Sequence, residues 1–169
     1  KKKMVAMKGS YHGKSMGALS LTFNPKYREP FQPLVEKVSF SPYGDVNALQ
    51  DVVDKDTAFV ILEPIQGESG IHVPPEGFLQ EVRKICDEND SLLIFDEIQS
   101  GLGRTGRMWA SEHWKTVPDI MCLAKGIAGG VPMGVTLVRP DILSVMKKGE
   151  HSSTFGGNPL ACAAGTATL

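Results

Sequence analysis

Five short apolar runs, near residues 4–7, 57–62, 92–96, 119–123 and 134–138, alternate with helix-like stretches near 45–54, 75–90, 106–114 and 140–148. Runs of four to six apolar residues suit buried strands, and the longer amphipathic stretches between them suit covering helices. Alternation of this kind predicts an α/β fold with a mostly parallel sheet flanked by helices, because parallel neighbours need a crossover between them. Pro75 and Glu76 suit a first helical turn, and Asp141 follows Pro140 in the same sense.

Ligands of open α/β sheets gather beyond the carboxyl ends of the strands, so the residues closing each run carry the most information. Ala58 to Leu62 runs into Glu63-Pro64-Ile65-Gln66-Gly67-Glu68, Ser91 to Phe95 runs into Asp96-Glu97, and Ile120 to Leu123 runs into Ala124-Lys125. A lone strand-end lysine or acid pair is usually a solvated charge marking where burial stops. Their conjunction suggests more. A desolvated lysine is an amine able to attack a carbonyl, and a carboxylate within reach of a pyridine nitrogen keeps that ring protonated. The candidate chemistry is a Schiff base between Lys125 and a pyridine-ring cofactor.

Other classes fit less well. With 41% hydrophobic and 22% charged residues and a net charge of -1, the chain can bury a core and has no basic excess for nucleic acid. No apolar run reaches the length of a membrane span. Cys86, Cys122 and Cys162 are odd in number and far apart, which indicates neither a zinc site nor a disulfide framework and suits a cytoplasmic setting. His72, His113 and His151 have no metal-ligand spacing, so no metal is expected. Gly101-Leu102-Gly103-Arg104-Thr105-Gly106 matches the dinucleotide fingerprint GxGxxG, but the acids Asp96 and Glu97 stand between strand and glycines, where a pyrophosphate would be repelled. An Arg-bearing loop is the expected role.

Tyr11-His12-Gly13-Lys14-Ser15, Glu63 to Glu68, Asp96-Glu97-Ile98-Gln99-Ser100-Gly101 with Gly103-Arg104-Thr105-Gly106, Ala124-Lys125, and Ser153-Thr154-Phe155-Gly156-Gly157-Asn158-Pro159 occur in this order, with 29 residues from Asp96 to Lys125. Together they resemble class III aminotransferases, pyridoxal 5'-phosphate (PLP) enzymes of fold type I that include acetylornithine, ornithine, putrescine and 4-aminobutyrate aminotransferases. The resemblance implies that Lys125 holds the cofactor as a Schiff base and shuttles the proton. Asp96 then binds the ring nitrogen, Gln99 lies near the phenolic oxygen, and Ile98 and Tyr11 pack on opposite ring faces. His12 and Glu97 accompany them as cofactor-site residues. Thr154 is expected to reach the phosphate of a partner subunit's cofactor, which implies a homodimer or dimer of dimers. Lys14, Glu68 and Ser153 are the candidate substrate contacts.

Lys14 stands where acetylornithine, ornithine and 4-aminobutyrate enzymes usually carry an arginine; a lysine cannot fork onto a carboxylate. Lys14-Ser15 is closer to the putrescine type, whereas Lys26 to Phe31 and Gly67 to Gly70 resemble the acetylornithine type, so the donor stays open. The chain opens on a strand-like run and stops inside the Ala-rich run from Pro159 to Leu169. Residues 1–169 are therefore expected to be the central portion of the cofactor-binding large domain, and to show little activity alone. The expected reaction moves a terminal amino group to a 2-oxo acid such as 2-oxoglutarate. A PLP-dependent aminomutase or racemase would share the cofactor residues without consuming an oxo acid, and a non-catalytic scaffold would bind no chromophore.

Overall fold

The computed structural model describes residues 1–169. The elements run β1 (Lys3–Met7), α1 (Met16–Leu21), α2 (Pro25–Arg28), β2 (Val38–Ser41), α3 (Val46–Val52), β3 (Thr57–Leu62), α4 (Phe78–Glu88), β4 (Leu92–Asp96), β5 (Ile120–Leu123), β6 (Val135–Val138), α5 (Pro140–Leu143) and α6 (Pro159–Thr168). One six-stranded sheet has the order β2-β1-β3-β4-β5-β6. The pairs among β1 to β5 are parallel, and β6 pairs antiparallel to β5. The α/β expectation holds. The antiparallel edge has a geometric cause: only a single short 3-10 turn, Lys125–Ala128, separates β5 from β6, too little for a covering crossover.

Alternation along the central strands sorts the core. Val5, Met7, Val60, Leu62, Leu93 and Phe95 all point to one face, where they pack against Leu49 of α3 and the apolar stripe of α4. That stripe is Phe78, Leu79, Val82, Ile85 and Cys86, a spacing that keeps one side of a helix on the sheet. Phe95 and Phe78 are almost wholly buried, so trimming either to alanine should cost about 3–5 kcal/mol. Ala6 and Ile61 face the other way, with Leu21 from α1 and the half-buried Phe40, Phe59 and Ile94 around them.

The expected elements shift in ways that local chemistry explains. The helix expected from 75 starts at Phe78, because Gly77 caps it in the left-handed region at φ 79. The stretch 106–114 yields only the 3-10 segment Ala110–Trp114, since Gly103 and Gly106 sit at φ 82 and φ 85. The stretch 140–148 stops as a helix at Leu143, and Leu143, Val145 and Met146 are exposed, without the packing that sustains a short helix. β2 was not expected at all. Its four residues carry too little pattern to stand out, and pairing with β1 defines them. No helix is long and apolar enough to cross a membrane.

Candidate active site

Spatial neighbours β1, β3, β4 and β5 are parallel, so their carboxyl ends open on one edge of the sheet. That edge receives, in order, Tyr11 and His12 after β1, Glu63 after β3, Asp96 closing β4, and Lys125 after β5. Residues separated by up to 114 positions in the chain, from Tyr11 to Lys125, line one cavity of about 130 Å³ together with Glu68, Ile98 and Gln99. A larger cleft of about 580 Å³ shares Ile98, Gln99 and Lys125 with it and continues past Ile65, Ile71 and Arg104. A cleft of that size is what small-molecule sites use.

Asp96 is buried, at 5% exposed. His12 Nδ1 lies 2.8 Å from its Oδ2, with side chains only 2% and 6% exposed, and the Ile98 N–H donates to its Oδ1 at 3.1 Å. An ionised carboxylate only accepts, so the His12 Nδ1–H donates here. Two carboxylate oxygens offer about four acceptor positions, so Asp96 keeps capacity for a further N–H donor. His12 therefore stands beside the acid and orients it. Its Nε2 is buried without a protein partner.

Lys125 adopts φ 47, the left-handed region that non-glycine residues avoid at a cost of about 1–2 kcal/mol. Its ammonium donates to Gln99 Oε1 at 2.6 Å. Gln99 in turn lies flat on Gly67, where an added Cβ would come within 2.2 Å of its Nε2. A bare glycine is thus required for the amide to reach the lysine. The expectation that Lys125 is desolvated is not met: its residue is exposed, because β5 ends there and the short turn lifts the side chain over the cleft.

Glu63 ties the rim together. The Tyr11 N–H donates to its Oε1 at 3.1 Å and the Gly67 N–H to its Oε2 at 3.0 Å, which joins the loop after β1 to the loop bearing Glu68. Burial pushes the Glu63 carboxyl above its usual range, against the opposing pull of the two backbone donors. Thr22 holds the same β1 loop from beneath, its Oγ1 accepting from the His12 N–H at 2.9 Å. No local pattern marks Thr22; only the return of the chain through α1 brings it there.

Four expected site residues fall elsewhere. Glu97 does not face the cavity: it is fully buried, accepting from Ser100 Oγ at 2.6 Å and Ala110 N–H at 3.1 Å on one oxygen and from Ser111 N–H at 2.8 Å on the other. Strand alternation explains this, since Asp96 and its neighbour point to opposite sides. Glu97 organises the glycine-bearing loop, which forms turns rather than a nucleotide cradle. Lys14 does not line the cavity either; its Nζ lies 4.8 Å over the Tyr27 ring. Ser153 and Thr154 are exposed and outside this cavity, and Ser153 Oγ accepts from the Gly156 N–H. Tyr11, His12, Asp96, Ile98, Gln99, Glu68 and Lys125 are brought together as expected.

An amine, an oriented acid and an amide thus converge at the open edge of a parallel sheet, in a cavity of an α/β protein. The model of the family described as Aminotransferase class-III matches residues 1–169, and the chain belongs to that family. It is 57% identical over 162 residues to an acetylornithine aminotransferase of Methanopyrus kandleri, covering 96% of this chain and 42% of that protein. It is 49% identical to a putrescine aminotransferase of Pectobacterium atrosepticum, covering 98% of this chain and 37% of that one. The ornithine aminotransferase of Toxoplasma gondii superposes with a TM-score of 0.94 at 39% identity, over 98% of this chain and 39% of that chain, in a structure described as having partial occupancy of PLP at the active site. The chain thus spans about two fifths of the length of the relatives it matches.

Proposed function

We propose that these residues form the central part of the cofactor-binding domain of a PLP-dependent aminotransferase. The whole protein would move a terminal amino group from an ornithine-, acetylornithine- or diamine-type donor to a 2-oxo acid such as 2-oxoglutarate. The observation that carries this reading is the single cavity shared by Lys125 and the buried, His12-braced Asp96. When bound, PLP supplies an aldehyde that takes up amines and a pyridinium ring that withdraws electrons.

The donor set suits that group. Asp96 has acceptor capacity to spare for a pyridinium N–H, and its negative charge favours the protonated ring. His12 fixes the acid's orientation, so no reorganisation is needed when charge develops. Tyr11 and Ile98 both line the cavity and provide an aromatic face and a stiff branched wall for a planar ring. Gln99 presents an amide suited to a phenolic oxygen, and its Oε1 accepts from Lys125 Nζ. With the cofactor bound and a donor in place, Lys125 Nζ as a neutral amine would take a proton from the donor carbon and return it, a task its exposed position over the cleft allows.

Ser153 and Thr154, exposed and outside this cavity, suit contacts made across a homodimer, with Thr154 at the phosphate of the partner subunit's cofactor. A cytoplasmic location goes with the same reading. In the full-length protein, Lys125→Ala should abolish the near-visible absorbance of bound PLP and lower turnover by about 10²–10⁴-fold or more. Retention of that band would show that another lysine carries the cofactor.

A further inference from the structure

The loop after β1 carries Tyr11 and His12 to the cavity, and the residues that end α1 clamp it along its length. Ser10 Oγ donates to the Leu21 carbonyl at 2.8 Å, and the Ser10 carbonyl accepts from the Phe23 N–H at 2.9 Å. Beside those two bonds, the His12 N–H donates to Thr22 Oγ1 at 2.9 Å. The Thr22 hydroxyl can in turn donate to the Gly13 carbonyl at 3.1 Å or the Ala18 carbonyl at 3.2 Å. One fully buried hydroxyl therefore ties the His12 amide and the Gly13 carbonyl to the last turn of α1.

Thr22 suits this task by place and by shape. It closes α1 in extended backbone, at φ -79 and ψ 128, and its branched side chain is stiff at χ1, which fixes the hydroxyl. Gly13, at φ 121, lets the loop lie close, since a Cβ there would meet the Ala18 Cβ at 3.3 Å. Beyond the clamp, the His12 ring has a single hold: Nδ1 lies 2.8 Å from Asp96 Oδ2, while Nε2 is buried without a protein partner. With only one bond on the ring, its place beside the acid depends on the backbone that carries it. That backbone depends on Thr22.

We propose that Thr22 is a positioning residue for the cofactor acid: its buried hydroxyl fixes the His12 peptide so that the imidazole stays on Asp96 Oδ2 and the free acceptor positions of Asp96 stay aimed into the cavity. That Asp96 meets a cofactor ring rests on the aminotransferase reading; that Thr22 holds His12 on Asp96 does not.

The test uses the full-length holoenzyme, with Thr22→Val to remove the hydroxyl at nearly constant shape and Thr22→Ser to keep it. The readout independent of turnover is the His12 Nδ1 proton, followed by NMR in isotope-labelled protein and identified by its absence from His12→Asn. Thr22→Val should speed exchange of that proton with solvent about tenfold and lower kcat about fivefold, with KM within about twofold of wild type. Thr22→Ser should recover most of both losses. Ser10→Ala takes another hydrogen bond from the same clamp without touching His12, so the exchange of this proton should stay close to wild type.

Equal acceleration in Ser10→Ala and Thr22→Val would mean general loosening of the loop and would overturn the proposal. So would unchanged exchange in Thr22→Val, unchanged kcat beside accelerated exchange, or a Thr22→Ser variant that behaves like Thr22→Val. If Thr22→Val does not fold, Thr22→Ala is read against the same outcomes. Accelerated exchange in Thr22→Val, with no bound-cofactor absorbance even in wild type, keeps the clamp and overturns the aminotransferase reading; the absorbance with unchanged exchange does the opposite.

Discussion

Two buried aspartates at opposite ends of neighbouring strands contrast an acid locked among arginines with one left open to a cavity. Asp119 precedes β5 and Asp96 closes β4, and they are almost equally buried, at 4% and 5% exposed. Asp119 carries three donors, two of them arginines: Oδ2 accepts from the Leu93 N–H at 2.7 Å and from Arg83 at 2.8 Å, and Oδ1 accepts from Arg139 at 2.6 Å. Asp96 has one histidine and one backbone N–H, and it looks into a cavity. Burial alone does not mark a functional acid. An acid at the amino ends of the strands can be fully satisfied by packing arginines, whereas one at the carboxyl ends keeps unused acceptor capacity where a ligand can reach it.

The strongest way to break this comparison is to neutralise both acids in the full-length protein. Asp96→Ala should reduce transamination by about 10²–10³-fold with a modest change in melting temperature. Asp119→Ala should do the reverse, costing about 3 kcal/mol of stability because two arginines lose their shared partner, while the folded fraction keeps its turnover. If calorimetry and kinetics returned the same ranking for both variants, the division between supporting and working acid would collapse.

Glu97 sharpens the contrast next door. It adjoins Asp96 in sequence yet resembles Asp119 in its bonding, since both oxygens are consumed by Ser100, Ala110 and Ser111. Glu97→Gln should destabilise the protein by about 2 kcal/mol, as the amide turns a donor toward a backbone N–H. Denaturant titration measures this, and proteolysis should quicken within the loop from Gly101 to Ala110. A variant that instead lost cofactor absorbance without losing stability would move Glu97 into the active site.

The smallest expected effect concerns Glu63, which is buried like a supporting acid but lies on the working edge. Burial raises its carboxyl above the 4.5 of an unperturbed side chain, so the folded state favours its protonated form. Its stability contribution is therefore fully present below the unfolded value and is lost as pH rises through the raised one. The melting-temperature difference between wild type and Glu63→Gln should move against wild type as pH increases from about 4 to about 7. A flat difference across that range would mean that the backbone donors from Tyr11 and Gly67 offset the burial completely.

Much of this molecule was legible before any coordinates. Five of the six strands and the parallel character of the sheet follow from apolar runs and their spacing, because strand burial on both faces leaves a continuous apolar signature. The strand-end positions of Asp96 and Lys125 were visible for the same reason. The helix boundaries were less legible: Gly77 displaced the start of α4, the positive-φ turns at Gly103 and Gly106 shortened the next stretch, and the stretch after Leu143 lacked the packing that extends a turn into a helix. Within the site, the residues around Lys125 meet at one cavity, whereas Glu97 and Lys14 fall outside it, a difference that adjacency in sequence does not reveal.

The sequence by itself determined the layered α/β architecture, the family and the chemical inventory of the site, since periodicity, strand-end residues and motif spacing are properties of the chain in one dimension. Only the tertiary structure decided which acids are locked among donors and which are open, that Lys125 is exposed at φ 47, and that Thr22 reaches the His12 N–H. The physical reason is that hydrogen-bond satisfaction depends on where the other partner of each pair arrives. Here those partners come from strands and loops up to 84 residues away, as His12 does for Asp96.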